Sequence, residues 1–426
     1  MERGRQHPLE VESSGEMSEA GLLLFYELER QAQSPRGVDP QTAALYKALL
    51  AQRETSLTPV LIEAADFRID RQGQTSSGAV GAVRSALATY FSAVEPGFSD
   101  ADRTTPEAWE TPLKRLNDDL ASLDGDEIGD FLYNLSFRPV ATTLHYRALP
   151  PELMLQLVSE RFPQGAKHLD VGSSGMITTR WQHRKQPGPL NFSEVYIPHD
   201  DNPSDTRIIV TNKANAIVNR PSLLKESVCV DIVPVYHQDR QRYDGGFENW
   251  LKGCVRSSER NDAEFMAVLE ALLQPDPTDK NITFSLQDLT TARDQALFLE
   301  EQPELFDFIT ANNMIHQIQP TKRYGLLDFL TTRLSPNGLL IIDEFVYLHP
   351  ANLKKPATFK NVRVYDHWHI PNRHRTLYYD NLNPVKCVQE ALSFSDNSRV
   401  RKPRVESGTL ITNDSAEPIA DLIKNS

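Results

Sequence analysis

The sequence predicts an α/β protein in which an all-helical N-terminal domain precedes a doubly wound, mostly parallel β-sheet. Apolar residues recur at helical spacing in the N-terminal part, whereas apolar strand-like runs alternate with helical segments over residues 153–412. Several of these runs end in a carboxylate or an amide side chain. We place the helical domain at 18–150 and the sheet domain at 151–426, and we expect residues 1–17 to be disordered.

The composition is that of a soluble globular protein. Apolar residues make up 39% of the 426 residues and charged residues 24%. The net charge of −13 disfavours a nucleic-acid partner, although Arg399–Arg404 is a basic cluster. There is no membrane-length apolar segment and no signal-peptide core, and the three cysteines lack metal-ligand spacing. We therefore expect a cytoplasmic protein that does not bind a membrane.

Amphipathic segments predict the helices of the N-terminal domain. The predicted helices are Gly21–Leu28, Pro40–Arg53, Gly81–Val94, Trp109–Leu123 and Ile128–Tyr133. Ser18 is a suitable N-cap for the first of them, because its hydroxyl can accept a hydrogen bond from an amide of the first turn. No strand-like alternation of comparable length occurs in this region, so we expect the apolar stripes to form a helical core.

Apolar runs and the segments between them predict the elements of the second domain. The predicted strands are Ala166–Val171, Ser227–Val233, Ile282–Asp288, Leu305–Asn313, Leu339–Phe345, Arg375–Tyr379 and Gly408–Thr412. The predicted helices are Glu152–Phe162, Ala263–Leu273, Tyr324–Leu334 and Pro384–Leu392. Leu339–Phe345 is the most apolar strand and follows a predicted turn at Ser335–Gly338, which favours a central position covered on both faces. The polar stretch at about 180–225 predicts an insertion.

The segment His168–Gly175 is the strongest local pattern in the chain. An apolar run ends in Asp170 and passes directly into glycines and serines, after which Met176–Thr179 can begin a helix. Glycine permits positive φ and close approach of a ligand. The amides at a helix N-terminus suit an electron-rich ligand, and a carboxylate at a strand end can accept hydroxyl groups.

The order of the strand ends resembles the class I S-adenosylmethionine-dependent methyltransferases, a Rossmann-like superfamily. His168–Gly175 is similar to the first motif of that family, Ser227–Ile232 to its acidic second strand, and Phe284–Leu289 to its third motif. Phe306–Ile318 is similar to the fourth motif, and Leu334–Asp343 has the Leu-x-Pro-x-Gly that precedes the fifth strand. The resemblance covers residues 153–412 and leaves the helical domain unexplained.

This resemblance implies S-adenosylmethionine as the cofactor, bound at the carboxyl edge of the sheet. The implied cofactor-binding residues are Asp170, Gly172, Ser173, Gly175, Asp231, Ile232, Asp288, Leu289, Asn312 and Asn313. It also implies that the helical domain covers the donor site or forms a homodimer interface. One departure concerns the second strand, because Asp231 follows Asp170 by 61 positions, against about 20 in a usual dinucleotide-binding unit. Either the insertion separates them, or the second strand is Glu194–Ile197 or Arg207–Thr211.

Histidines supply the candidates for catalysis and for substrate binding. His316 follows the fourth strand and His349 follows the fifth, so either side chain is a candidate base for a hydroxyl acceptor. His367, Trp368 and His369 are candidate walls of an acceptor pocket, with the indole stacking on a planar substrate. A metal site or a surface loop are the alternatives there, and we predict no metal.

These observations together predict a methyltransferase acting on an unidentified small-molecule acceptor. One alternative is a non-catalytic, methyltransferase-like partner subunit, in which the helical domain binds another protein. The other is an NAD(P)-dependent oxidoreductase, which is disfavoured because Gly172–Gly175 lacks the Gly-x-Gly-x-x-Gly spacing.

Overall fold

The computed structural model describes residues 17–345, apart from short gaps, and three later strands at 362–369, 373–380 and 391–394. The gaps are 34–38, 53–54, 96, 123–125, 142–147, 149–150, 153–154, 157–158, 186–191, 200–201, 210–219, 233–235, 238–241, 244–245, 256, 261–262, 313, 315–317 and 319. Only the backbone is described for the strands within 192–209, 236–243 and 343–394. The predicted disordered start, the predicted strand Gly408–Thr412 and the basic cluster Arg399–Arg404 lie outside the described residues, except that residue 17 is included.

The helices and strands of the described residues are numbered in chain order. The helices are α1 Glu19–Gln33, α2 Pro40–Ala51, α3 Leu57–Ala65, α4 Ser76–Val94, α5 Glu110–Ser122, α6 Asp126–Ser136, α7 Ile177–Arg184, α8 Phe247–Cys254, α9 Ser257–Arg260, α10 Ala263–Leu273, α11 Ala292–Glu301 and α12 Pro320–Thr332. The strands are β1 Ala166–Val171, β2 Phe192–His199, β3 Asn202–Ile209, β4 Leu224–Asp231, β5 Tyr236–His237, β6 Arg242–Tyr243, β7 Ile282–Leu286, β8 Phe306–Asn312, β9 Leu334–Phe345, β10 Val362–His369, β11 Arg373–Asp380 and β12 Ala391–Phe394. In this part of the chain, no helix is long and apolar enough to cross a membrane.

The chain divides into two compact units. The helical unit comprises residues 1–141 together with 249–261, and the sheet unit comprises 142–248 and 262–426. The boundary expected from the sequence was at residue 150, and no second segment was expected in the helical domain. The described part of the helical unit contains α1 to α6, most of α8, and α9. Ser18 caps α1 as predicted, since its Oγ accepts a hydrogen bond of 3.0 Å from the Gly21 amide.

The segment 249–261 is fixed to the rest of the helical unit by a polar contact and by close packing. The Trp250 Nε1–H donates to the Pro139 carbonyl at 2.9 Å. Helix α8 approaches α4 so closely that a Cβ on Gly253 would lie 2.0 Å from Thr89 Oγ1 and 2.8 Å from the Ser85 carbonyl oxygen. Glycine is therefore required at 253 for space.

Replacing Gly253 by alanine is expected to lower the free energy of unfolding by about 1–3 kcal/mol, because the added methyl group overpacks the α4–α8 contact. Gly129 in α6 is the matched control, since nothing lies within 4 Å of a Cβ built there. Gly129→Ala should be neutral or stabilising by up to about 1 kcal/mol through helix propensity. Urea unfolding followed by circular dichroism measures both. Equal effects of the two substitutions would contradict the packing argument.

The sheet unit contains a ten-stranded sheet in the order β3-β2-β12-β10-β11-β9-β8-β1-β4-β7. Strands β7, β4, β1, β8 and β9 pair in parallel. The chain adds β4 and β7 on one side of β1, and then β8 and β9 on its other side. This reversal beside β1 makes the sheet doubly wound and confirms the predicted fold class. In such sheets the crevice outside the strand ends at the reversal is the expected ligand site.

The sheet also settles which strand follows β1 in the parallel order. Strand β4 pairs with β1 in parallel, so the second strand is the one that contains Ser227–Asp231. The predicted insertion forms β2 and β3, which pair antiparallel with each other. They lie at the end of the strand order that is farthest from β7. Glu194–Ile197 and Arg207–Thr211 are therefore wrong as alternatives for the second strand, because their strands do not pair with β1.

Two other local predictions are corrected. The predicted turn Ser335–Gly338 lies inside β9, where the β8–β9 register shifts between Phe306 and Phe308. The Pro-containing stretch is thus a bulge within the strand rather than a turn before it. The predicted helix Pro384–Leu392 is wrong at its end, because Ala391–Phe394 forms β12 and pairs with β2 and β10. Cross-strand hydrogen bonding prevails there over the helical spacing of the apolar residues.

Candidate active site

Three polar residues that end parallel strands lie on one face of the sheet, at the same edge. Asp170 on β1 pairs with Cys229 on β4 and with Thr310 on β8. Asp231 is two residues beyond Cys229, and Asn312 is two residues beyond Thr310. Because paired residues share a face and strand residues alternate between faces, all three point to the same side of the sheet. The topology therefore brings together residues 170, 231 and 312 beside the reversal of strand order.

The loop after β1 has a tightly constrained backbone. Gly172, Ser174 and Met176 all have positive φ, at +70°, +48° and +56°. The Gly172 amide donates to the Val230 carbonyl at 2.8 Å. A Cβ on Gly172 would lie 2.8 Å from Met314 Cβ. Both the backbone angle and the available space therefore require glycine at 172, and α7 begins directly after this loop.

Asp231 connects this loop to β4. Its Oδ2 accepts a hydrogen bond of 2.7 Å from the Ser174 amide. The side chain of the next residue, Ile232, is 66% exposed. A carboxylate that can accept ribose hydroxyls next to an exposed aliphatic surface suits the sugar and the base of a nucleoside.

Asp170 lies behind the loop and is 2% exposed. Its Oδ1 accepts from the Thr310 hydroxyl at 2.9 Å, and its Oδ2 accepts from the Thr179 hydroxyl at 2.5 Å. Burial, assisted by the nearby Asp231 charge, raises the pKa of Asp170 to about 6, although the threonine hydroxyls oppose this increase. Both oxygens thus already bind protein hydroxyls, and Asp170 supports the loop from below.

The residues after β7 are placed differently from one another. Asp288 Oδ1 accepts from the Thr290 amide at 3.0 Å and from the Thr290 hydroxyl at 2.6 Å, which closes a local turn. The Leu289 side chain is buried in the apolar core under the sheet. Leu289 can therefore offer only its backbone to a ligand, and its predicted place among the cofactor-binding residues stays a prediction.

Asn312 ends β8 and is 9% exposed. Its Oδ1 has no hydrogen-bond partner among the described residues. An amide oxygen buried without a donor costs about 1–3 kcal/mol. A ligand that donates an N–H or O–H at this position would remove that cost. Of the other predicted cofactor residues, Ser173 and Gly175 lie in the constrained loop, and Asn313 lies outside the described residues.

The candidate catalytic and substrate residues are only partly described. His316 and His349 lie outside the described residues, so their roles stay predictions. His367, Trp368 and His369 lie in the last part of β10, which rules out the surface-loop alternative. Strand β10 runs in the direction of β9, since both pair antiparallel with β11. These residues therefore lie at the same sheet edge as the strand ends described above.

The register also assigns a face to His367. It pairs with His374 on β11, which pairs with Phe345 on β9. Phe345 is two residues beyond Asp343, the partner of Asn312 on β8. His367 is thus on the same face of the sheet as Asn312, three strands away, or about 14 Å at usual strand spacing.

The sequence did not identify a row of polar residues inside the strands. His168, Ser227 and Thr310 are buried and hydrogen-bonded to one another beneath the loop. Each interrupts an apolar strand, and two of them stand two residues before a strand-end carboxylate or amide. That spacing was visible in the sequence. Only the structure, however, shows that the side chains meet.

Comparison with known proteins adds a general similarity. No family model matches the chain, and no curated protein sequence does either. The chain is similar to the ribosomal protein L11 methylase of Lactobacillus delbrueckii subsp. bulgaricus, with 12% identity, a TM-score of 0.25, and coverage of 54% of this chain and 76% of that one. For the magnesium protoporphyrin IX methyltransferase of Synechocystis PCC 6803, identity is 12%, the TM-score 0.28 and coverage 55% and 79%.

A third solved structure is the amino pentose methyltransferase of Micromonospora echinaspora with bound S-adenosylmethionine. Its identity is 10%, its TM-score 0.23, and coverage is 48% of this chain and 52% of that one, so this chain spans about half its length. All three carry the name of a methyltransferase or methylase. The fold itself is a Rossmann-like α/β sheet accompanied by a helical unit.

Proposed function

We propose that the protein is an S-adenosylmethionine-dependent methyltransferase that acts on a small-molecule acceptor. The observation that carries the proposal is the grouping of Asp231, Ile232 and Asn312 beside the reversal of strand order. The Asp231 carboxylate can accept ribose hydroxyls, and the exposed Ile232 side chain offers an apolar surface to a purine. The Asn312 Oδ1, which has no hydrogen-bond partner among the described residues, can accept a hydrogen bond from an amino group. These residues fit the chemistry of a nucleoside-containing methyl donor.

The bound cofactor would supply an electrophilic methyl group on a sulfonium centre. The protein's part is to align donor and acceptor and to exclude water, because an in-line displacement depends mainly on alignment. The acceptor is proposed to lie along the same face toward β11 and β10, where His367 stands. The roles of His316 and His349 as bases, and of the helical unit as a cover or a homodimer interface, stay predictions.

Replacing Asp231 by alanine is expected to weaken the binding of S-adenosylhomocysteine about 10-fold to 100-fold. The loss corresponds to about 1.5–3 kcal/mol for hydrogen bonds to a charged acceptor. Isothermal titration calorimetry at pH 7.5 measures the dissociation constants of the wild type and the variant. Titration of the wild type with NADH, in the same buffer, tests the oxidoreductase alternative.

Glu226→Ala provides the matched control. Glu226 is on the same strand β4, but it lies five residues earlier, where it pairs with Lys167 at 3.5 Å in a partly exposed salt bridge. Its removal should leave the affinity unchanged. The proposal fails if the wild type shows no binding of either S-adenosylmethionine or S-adenosylhomocysteine, or if Asp231→Ala and Glu226→Ala bind equally well.

A further inference from the structure

A continuous chain of hydrogen bonds runs through the sheet beneath the loop. His183 Nε2 on α7 is 2.8 Å from Ser227 Oγ on β4, and Ser227 Oγ is 3.0 Å from His168 Nδ1 on β1. His168 Nε2 is 2.8 Å from Thr310 Oγ1 on β8, and Thr310 Oγ1 is 2.9 Å from Asp170 Oδ1. All five residues are buried. We call this set the hydroxyl–imidazole chain.

The charge of Asp170 determines the direction of every bond in the hydroxyl–imidazole chain. A carboxylate only accepts, so Thr310 donates its single hydroxyl proton to Asp170 and accepts from the protonated Nε2 of His168. A neutral His168 then has an unprotonated Nδ1, which accepts from the Ser227 hydroxyl. Ser227 in turn accepts from the protonated Nε2 of His183. Every hydroxyl donates once and accepts once, so no bond in the series conflicts with another.

Protonation of Asp170 can reverse the whole series. A protonated Asp170 donates to Thr310, which then donates to His168 Nε2. The His168 proton moves to Nδ1 and is donated to Ser227, and Ser227 donates to His183 Nε2. Both arrangements satisfy the four hydrogen bonds of the hydroxyl–imidazole chain, and no net charge is placed on either imidazole. The tautomers of both histidines can therefore change with the proton of Asp170.

We propose that His168, Ser227 and Thr310 are positioning residues that hold Asp170 as a carboxylate beneath the glycine–serine loop and couple its proton to the histidine tautomers. The consequence for ligand affinity rests on the proposed function, whereas the coupling itself does not. A parallel strand buried on both faces is ordinarily filled by aliphatic side chains. Here three adjacent strands each contribute one polar side chain. The hydroxyl–imidazole chain ends at Asp170, two positions before Gly172.

The electrostatic surroundings favour neutral imidazoles at His168 and His183 and leave Asp170 as the group of the hydroxyl–imidazole chain that titrates. Burial holds the pKa of His168 well below its usual value, and His183 reinforces this effect. For His183 the nearby charges are Asp279 and Arg184, whose effects on its pKa oppose each other. On the β4 side, Asp231 acts on Asp170, and burial holds the pKa of the Cys229 thiol well above its usual value, with Arg180 of α7 opposing. Among the described residues of β8, the acidic Asp307 lies at the far end of the strand.

Nitrogen-15 NMR of histidine-labelled protein reads the His168 tautomer directly, without any ligand. We expect a proton on Nε2 at pH 8 and on Nδ1 at pH 5, with a midpoint near 6, since the pKa of Asp170 is raised to about 6. The affinity for S-adenosylhomocysteine is expected to change with the same midpoint. The same His168 tautomer at both pH values would overturn the proposal.

Thr310→Val removes the hydroxyl next to Asp170 while conserving shape, and it should raise the Asp170 midpoint by about one pH unit. Thr310→Ser should restore it. Ser227→Ala is the decisive variant, because Ser227 does not bond Asp170 directly and its link along the described hydrogen bonds of the hydroxyl–imidazole chain passes through His168 and Thr310. It should shift the midpoint in the same direction but by less.

Carbon-13 NMR of the aspartate carboxyl groups follows these midpoints in each variant, and thermal melting checks that each one folds. A midpoint unchanged in Ser227→Ala but shifted in Thr310→Val would reduce the chain to one local hydrogen bond and refute the coupling. If the tautomer change occurs but no S-adenosyl ligand binds at any pH, the proposed function fails and the coupling stands.

Discussion

Asp279→Ala is expected to lower the free energy of unfolding by about 3–5 kcal/mol, because it breaks a buried cluster of charges. Asp279 is buried between two arginines of α7. Arg180 Nη2 lies 3.1 Å from its Oδ2, and Arg184 Nη2 lies 2.7 Å from its Oδ1. All three side chains are almost completely buried. Removing the carboxylate leaves two buried cations without this counter-charge.

Both arginines also bind the C-terminal end of α10. Arg180 Nη1 donates to the Leu272 carbonyl at 2.9 Å, and Arg184 Nη1 donates to the Ala271 carbonyl at 2.8 Å. The negative end of the α10 dipole thus offsets part of the second positive charge. Because α7 begins directly after the constrained loop, this cluster also anchors the helix that follows the loop. The expected loss is measured by urea unfolding at pH 7.5.

Asp276→Ala is the matched control for this substitution. Asp276 caps the short 3-10 helix Pro277–Asn281, which contains Asp279, and its Oδ1 accepts from the Thr278 amide at 2.8 Å. Within the described part of the chain, the ion pairs of the two arginines are made with Asp279 and not with Asp276. Loss of an N-cap costs about 1 kcal/mol. If Asp279→Ala costs no more than Asp276→Ala, the buried ion pairs do not carry the stability that their geometry indicates.

The site residues at strand ends were predictable because each interrupts an apolar run in a recognisable way. Asp170, Asp231 and Asn312 all close such a run, and parallel strands bring their ends to one edge. The sequence could not show that Asp170 faces inward to threonine hydroxyls, because Thr179 and Thr310 lie 9 and 140 positions away. The sequence also could not show that the Asp288 carboxylate closes a local turn with Thr290.

Long-range assembly explains the other differences. The segment 249–261 has an ordinary local helical pattern. Neither Trp250 nor Gly253 indicates, from the sequence alone, that the segment packs in the helical unit. The Pro-containing stretch before Leu339 has strong turn residues, yet it is absorbed as a bulge because β8 offers hydrogen bonds on both sides of it. Local propensity thus identified most elements, whereas β2, β3 and β12 depend on the strands with which they pair.

His183→Gln is expected to make the protein more resistant to acid. Burial, the largest cause, lowers the pKa of His183 from its ordinary value of 6.5 to about 4, while the Arg184 charge adds to the decrease and Asp279 opposes it. The folded state then binds fewer protons than the unfolded state between these pH values. The stability associated with neutral His183 is therefore present above pH 6.5 and lost as the pH falls toward 4, by about 3 kcal/mol. Glutamine does not titrate, and its amide can still donate to Ser227.

Asp170→Asn should have the opposite effect on the free energy of unfolding at acid pH. The folded pKa of Asp170 is raised to about 6 from 3.8, so its ionisation is penalised as the pH rises through 6 and that penalty is relieved on acidification. Wild-type Asp170 thus offsets part of the histidine loss between pH 6 and 4. Asparagine removes that compensation and should steepen the fall in stability. Urea unfolding at several pH values from 4 to 8 measures both variants, and parallel profiles for His183→Gln and Asp170→Asn would contradict the opposite signs that their burial dictates.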